Sequence, residues 1–172
     1  LSIFFCFRNT ACYDRWWEGR KLWGALIATS RHISRDSHVL ADDERNLMMY
    51  RVMLFTNLLR NRLRNQFQAI DFYQDKVNFN TQEFAQLAPH INAPQFVLEN
   101  IQKSLVQYLK SGEISDIIYH DLKQHVIELG AIQAGCDRIL STPLPYSYSV
   151  LLHRTVYCFC IKSIKTFIIY YF

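Results

Sequence analysis

The chain opens on an almost wholly apolar run, Leu1 to Phe7, and passes without proline or glycine into Arg8-Asn9 and then into a stretch where aromatic and charged residues alternate, Tyr13 to Lys21. An apolar segment that meets charge and tryptophan at one end has the profile of a membrane helix leaving lipid. One long helix is expected from Leu1 to about Ser34, with Gly19 and Gly24 as its only weak points. Trp16 and Trp23 are seven apart and share a face; Arg15, Glu18 and Lys21 follow at spacings of three, so neighbouring turns can pair charges. His38 to Asp43 is a polar break. Asp42-Asp43-Glu44 then places acid in a first helical turn, where the helix dipole favours it.

A second helix is expected from Asp42 to about Asn65. Leu47, Met48, Val52, Leu54, Phe55, Leu58, Leu59 and Leu63 recur at threes and fours and form a broad apolar face. Arg51, Arg60, Arg62 and Arg64 are expected on the other side, and with that charge the helix packs in a bundle rather than crossing a bilayer. Asn65 to Pro94 is rich in breakers, with a short helix expected around Thr81 to Leu87. Pro94 marks the next start, and Gln95 to Lys110 carries Phe96, Val97, Ile101, Leu105 and Leu109 before Ser111-Gly112 ends it as a glycine cap. Ser115 caps a further helix that runs to about Leu140, with a stripe of Ile117, Ile118, Leu122, Val126, Leu129, Ile132, Cys136 and Ile139. Thr142-Pro143-Leu144-Pro145 stops it. Tyr146 to Phe172 is then long enough for a bilayer, which needs about 20 apolar residues in a helix. Arg154, Lys162 and Lys165 interrupt it, and each of the two lysines costs roughly 2.5–3.5 kcal/mol at the middle of a span.

The pattern is therefore all-α. Half of the 172 residues are hydrophobic and 15% aromatic, which suits a few membrane segments attached to a larger polar part. The net charge of +4 is a mild excess, clustered at Arg8–Lys21, Arg31–Arg35 and Arg60–Arg64. That is the bias of cytoplasmic flanks of membrane helices, and no nucleic-acid module accompanies it. The five cysteines form no CxxC pair and no disulfide framework. The opening run is too short, and lacks the basic leader, for a secretory signal.

Catalytic and metal chemistry find little support. GxxxxGK[ST], GxGxxG, GxSxG and HExxH are all absent, and five glycines leave little material for a phosphate loop. Asp116/His120 and Asp121/His125 are two i,i+4 pairs that could hold a metal, but a solvated face with local ion pairing is the favoured reading. No enzyme, no cofactor and no catalytic or metal-ligating residue is assigned. The mixture of Tyr13, Trp16, Trp17 and Trp23 with Arg15, Arg20 and Lys21 could stack bases, yet the apolar run before it favours a membrane-interface belt. Ile3 and Phe7, four apart, could face lipid, pack in a core, or line a hydrophobic constriction of the kind that gates channels by dewetting. Periodicity leaves these alternatives open.

FRNTACYDRWWEGRKLWG, Phe7 to Gly24, closely resembles the FRN-x-x-x-Y-x-R-(aromatic)-x-E-x-R-x-LWG segment of the bestrophin family, above all of its bacterial members. SDIIYHDL (Ser115 to Leu122) and CDRILSTPLPYSYSVLLHRTVY (Cys136 to Tyr157) resemble two further bestrophin segments in the same order, and the likeness covers nearly all of Ile3 to Cys160. The resemblance implies an all-α, membrane-associated helical bundle, one bestrophin-like subunit of a homopentameric ion channel. It implies a pore neck that includes Ile3 and Phe7, a cytosolic aperture at Ile117, and a vestibule mouth at Arg8 and Asn9.

On this reading residues 1–34 are a pore-lining membrane helix with its cytosolic extension, 35–145 a cytosolic helical bundle, and 146–172 a membrane helix with an atypical end. The Trp/Arg segment would pack partly between neighbouring subunits. The resemblance further implies passive conduction of anions, chloride foremost, in a bacterial inner (plasma) membrane as a multi-pass protein. Its partners would be membrane lipid, further copies of itself and permeant ions, with no nucleic acid. The alternatives are a cation-selective bacterial homologue and a non-conducting membrane-associated helical fragment. Relative to the family the chain reads as truncated at both ends, with a first membrane helix expected before Leu1. After Cys160 it departs from the family pattern into IKSIKTFIIYYF, which has the look of AT-rich sequence read in an arbitrary frame.

Overall fold

The computed structural model describes residues 2–65, 92–143 and 146–171, and among these every regular element is helical. Helix α1 is Ser2–Asp36, followed by a 3-10 turn, Ser37–Val39. Helix α2 is Asp42–Leu63, α3 is Ala93–Ser111, α4 is Asp116–Ser141 and α5 is Tyr146–Tyr171. The bounds follow the periodicity closely. The short helix expected around Thr81 to Leu87 lies outside the described residues, as do Leu144 and Pro145.

The helix ends have local causes. Three acidic residues, Asp42, Asp43 and Glu44, fill the first turn of α2, where exposed N–H groups attract negative charge. Pro94 sits at the start of α3, where a missing N–H costs nothing. Gly112 ends α3 at φ 78°. Its N–H reaches the Leu109 carbonyl at 3.2 Å and that of Glu113 reaches Tyr108 at 3.0 Å, the paired bonds of a Schellman cap. The Ser115 hydroxyl accepts the Ile118 N–H at 3.4 Å and opens α4.

The chain divides into two compact units. The larger, Leu22–Arg138, holds the hydrophobic core. Leu26, Thr29 and Ile33 of α1 are buried, as are Met48, Val52, Phe55 and Leu59 of α2, Val97, Ile101 and Leu105 of α3, and Leu122, Val126, Leu129 and Ile132 of α4. Each set recurs at threes and fours, so each helix turns one stripe inward. Helix α2 packs chiefly on α3. Helix α4 is tied to the rest by polar bonds. Arg62 Nε donates to Asp137 at 3.0 Å, Gln102 to the Tyr119 hydroxyl at 3.0 Å, and Gln133 to Asn92 at 2.9 Å. At Gly135, α1 comes so near that a Cβ would meet Leu22 Cδ2 at 2.9 Å. The smaller unit, Leu1–Lys21 with Ile139–Phe172, contains the first half of α1 and all of α5.

Two expectations about charge are corrected. Arg51 does not lie on a solvated face; it is buried at 6% exposure, and its guanidinium donates to Ser104 Oγ at 2.6 Å and toward the Asn100 carbonyl at 3.5 Å. A charged side chain survives burial only with such partners. His125 does not pair with Asp121 one turn back. It reaches across to Asp36 of α1, with Nε2 2.8 Å from Oδ2.

Candidate functional site

Ile3, Phe7 and Arg8 all lie on the helical backbone of α1. Four residues along a helix advance about 6 Å, so Ile3 and Phe7 stand one turn apart. Asn9 is exposed on the following turn. Beyond it, Tyr13, Trp16 and Trp17 form an exposed aromatic cluster, with ring centroids 5.7 Å apart for Tyr13–Trp16 and 6.1 Å for Trp16–Trp17.

Arg15 has a role that spacing alone did not reveal. Its guanidinium donates to the carbonyls of Ile139 and Thr142. These oxygens lie at and just past the end of α4, where helical carbonyls have no partner in their own helix. The arginine therefore caps α4 immediately before the chain enters α5. Spacing shows only local partners such as Glu18, three residues on, and a contact 124 positions away leaves no periodic signal.

Ile117 is in the first turn of α4 and is 75% exposed. Its neighbours Ile118 and Tyr119 turn the other way and pack against the core. An isolated exposed isoleucine is ordinary on a protein surface. Here the turn that displays it is held by the Tyr119 N–H on the Ser115 carbonyl at 2.9 Å and by the Ser115 hydroxyl cap on the Ile118 N–H. Ile3 and Phe7 belong to one compact unit and Ile117 to the other.

The titratable groups of the larger unit form two clusters. In the first, burial, the like charge of Glu113 and a hydrogen bond between the two carboxyls raise Glu44 above the ordinary carboxylate range. Burial, with the Glu44 charge next, likewise raises the Tyr108 phenol. In the second, His125 lies between two carboxylates, Asp36 at 2.8 Å and Glu128 at 3.7 Å, and Glu128 also accepts the Thr29 hydroxyl at 3.2 Å. Burial and the Asp137 charge raise the Cys136 thiol, which keeps it protonated and inert. Among the described residues no group of three or more His, Cys, Asp or Glu side chains is arranged to hold a metal ion. Nor is any helix among them long and apolar enough to cross a membrane, the lysines of α5 being part of the reason.

The chain matches the family model described as bacterial/fungal bestrophin protein over residues 1–162. It is 39% identical over 165 residues to the voltage-dependent anion channel-forming protein YneE of Salmonella typhi, covering 94% of this chain and 53% of that protein. It is 34% identical over 163 residues to a voltage-dependent anion channel-forming protein of Mesorhizobium japonicum, covering 94% of this chain and 52% of that one. The chain thus spans about half the length of the curated relatives it matches. Its fold superimposes on the crystal structure of a bacterial bestrophin homologue from Klebsiella pneumoniae with a TM-score of 0.85 at 28% identity, over 92% of this chain and 59% of that one. The extent of these matches, together with the FRN…LWG helix and the all-helical fold, places the chain in the bacterial and fungal bestrophin family.

Proposed function

We propose that this chain is part of a subunit of a passive anion channel, chloride being the main permeant ion, assembled from five copies in the bacterial inner membrane. The observation that carries the activity is the 39% identity, over nearly the whole chain, to a relative named as an anion channel-forming protein. The geometry supports it at Ile117, an isoleucine held outward by a capped helical turn, as an apolar ring around an aperture requires.

In this mechanism Ile3 and Phe7 form successive rings of the neck and Ile117 a second constriction. Apolar rings hold water weakly and set a barrier that an ion crosses by shedding part of its hydration. Arg8 and Asn9 stand next to the neck at the vestibule mouth. A positive charge there raises the local anion concentration and lowers that of cations. No covalent step is involved. Membrane residence is supported by the family and by exposed apolar positions along α5, Leu151, Tyr157, Phe159, Ile161 and Ile164, which lipid or neighbouring copies would cover. The residue ranges 1–34, 35–145 and 146–172 serve as pore helix, cytosolic bundle and second membrane helix on this reading.

The test is electrical. In planar bilayers containing the purified protein, with asymmetric potassium chloride, the current is expected to reverse near the chloride equilibrium potential. Reversal near the potassium potential would replace the anion reading with the cation-selective one. Phe7→Ala should widen the neck and raise single-channel conductance, and unchanged currents from that variant would sink the neck assignment.

A further inference from the structure

We propose that the C-terminal end of α1 carries a binding site for a phosphate-type oxyanion, built by Arg31, His32 and Arg35 and separate from the residues assigned to conduction. Ala28, Arg31, His32, Ser34 and Arg35 line an open depression on one face of α1. Arg31, His32 and Arg35 are all exposed there, so an anion can reach them from solvent. The lining residues recur at threes and fours, so one stripe of the helix presents them together.

The depression's polar groups are mainly donors. Arg35 donates to His32 Nδ1 at 2.6 Å. An arginine has only donors, so Nδ1 is the acceptor and the imidazole proton sits on Nε2, which remains a donor. A guanidinium has five N–H groups, and a single ring nitrogen leaves most of them unused. Arg31 makes no hydrogen bond or ion pair with any described residue. Two described carboxylates in the neighbourhood have other partners: Asp36 lies 2.8 Å from His125 Nε2, and Glu128 takes the Thr29 hydroxyl at 3.2 Å. Two guanidinium groups and an imidazole thus stand together on one face of α1, with no carboxylate among the described lining residues.

The site is also braced. The His32 ring stacks on His125 with centroids 5.5 Å apart and planes 22° apart. His125 is itself anchored to Asp36 and faces Glu128. His32 is therefore held on one side by Arg35 and on the other by a ring fixed to α4. Loose surface cations lose side-chain freedom when they bind an anion; a ring and guanidinium already locked together lose less. The last carbonyls of α1 oppose a bound anion, so the side chains alone must supply the attraction. A planar guanidinium fork matches two phosphate oxygens, which favours phosphate over a halide.

The shared chemistry, a phosphate dianion, can come from a soluble phosphate compound or from a lipid headgroup. The first arm titrates sodium phosphate into the purified chain in neutral detergent by calorimetry, with ionic strength held constant by sodium chloride. Saturable binding is expected, weakened roughly tenfold or more by Arg31→Gln or Arg35→Gln, since each removes a charge-assisted bond. Both side chains are exposed, so the variants should keep the wild-type helical circular dichroism. His32→Gln, which keeps one donor, should weaken binding less. The second arm floats the chain on phosphatidylcholine vesicles with and without phosphatidic acid. Recruitment by phosphatidic acid that needs both arginines assigns the site to a headgroup, and phosphate binding without such recruitment assigns it to a soluble ligand. Binding that chloride reproduces, or that survives in the Arg31→Gln/Arg35→Gln double variant, would overturn the proposal. Neither arm reads current, so the outcome is independent of the channel reading.

Discussion

Glu44 shows how a single residue can carry two opposed roles. Its place in the first turn of α2 suits a carboxylate, because the helix dipole favours negative charge there. Burial, the neighbouring Glu113 charge and the bond between the two carboxyls nevertheless raise its pKa. Glu113 has a second partner in the Ser111 hydroxyl at 2.7 Å, which helps hold it beside Glu44. A carboxyl raised in the folded state stabilises the fold while it is protonated. That contribution is complete below the ordinary carboxylate pKa and is lost as pH rises through the raised value. Glu44→Gln should therefore raise the melting temperature near neutral pH by ~1–2 °C, a small gain because water screens a partly exposed site. Near pH 4, where both carboxyls in the unfolded chain are largely protonated, the variant and the parent should melt together. An equal gain at both pH values would remove the like-charge explanation. The sequence showed the acidic turn but not Glu113, which lies 69 residues away (113 − 44) and reaches it only through the packing of α2 on α3. His125 teaches the same lesson, since its partner Asp36 is 89 positions distant.

At the scale of elements, the apolar stripes of α2, α3 and α4 made their bounds legible to within about two residues. A buried stripe is a repeated signal, and a cap such as Ser115 or Gly112 marks where it stops. A single charge inside such a stripe is not repeated. Periodicity therefore puts Arg51 on the side away from the apolar face, although Ser104 and a backbone carbonyl of α3 receive it. Periodicity also says which face is buried without saying against what, so the grip of Arg15 on the end of α4 had no sequence signal. That grip makes a sharp expectation. Arg15→Gln shortens the reach to the Ile139 and Thr142 carbonyls and should cost about 1–2 kcal/mol, less than the full worth of charge-assisted bonds because water screens this partly exposed site. Hydrogen exchange should show faster exchange in the last turn of α4, with the core of α3 unchanged. Unaltered protection at residues 138–141 would mean that the arginine does not hold the helix end.

At the scale of the molecule, the distribution of apolar surface separates the two units. The larger buries its stripes around Phe55, Leu105 and Leu129, each at 0% exposure. The smaller leaves Tyr13, Trp16 and Trp17 exposed on α1, and Tyr157, Phe159, Ile161 and Ile164 exposed on α5. Exposed apolar groups in such number, on both helices of one unit, mark a surface that something else covers. Ile3 and Phe7 are candidates only through the FRN…LWG resemblance, because four-residue spacing alone serves lipid, core and pore equally well. Ile117 was placed by resemblance too, and its exposure is a structural fact that no stripe analysis would isolate, since it continues the apolar run of α4. If five copies supply the missing cover, the protein purified in detergent should have a mass near five times the chain's 20.4 kDa once bound detergent is subtracted. Light scattering with refractive-index detection measures this directly. Trp16→Ser with Trp17→Ser removes most of the aromatic cluster and should shift the particle toward smaller assemblies if the cluster packs between copies. A monomeric parent would overturn the homopentamer. An intact pentamer in the double variant would move the cluster from the subunit interface to the lipid-facing side.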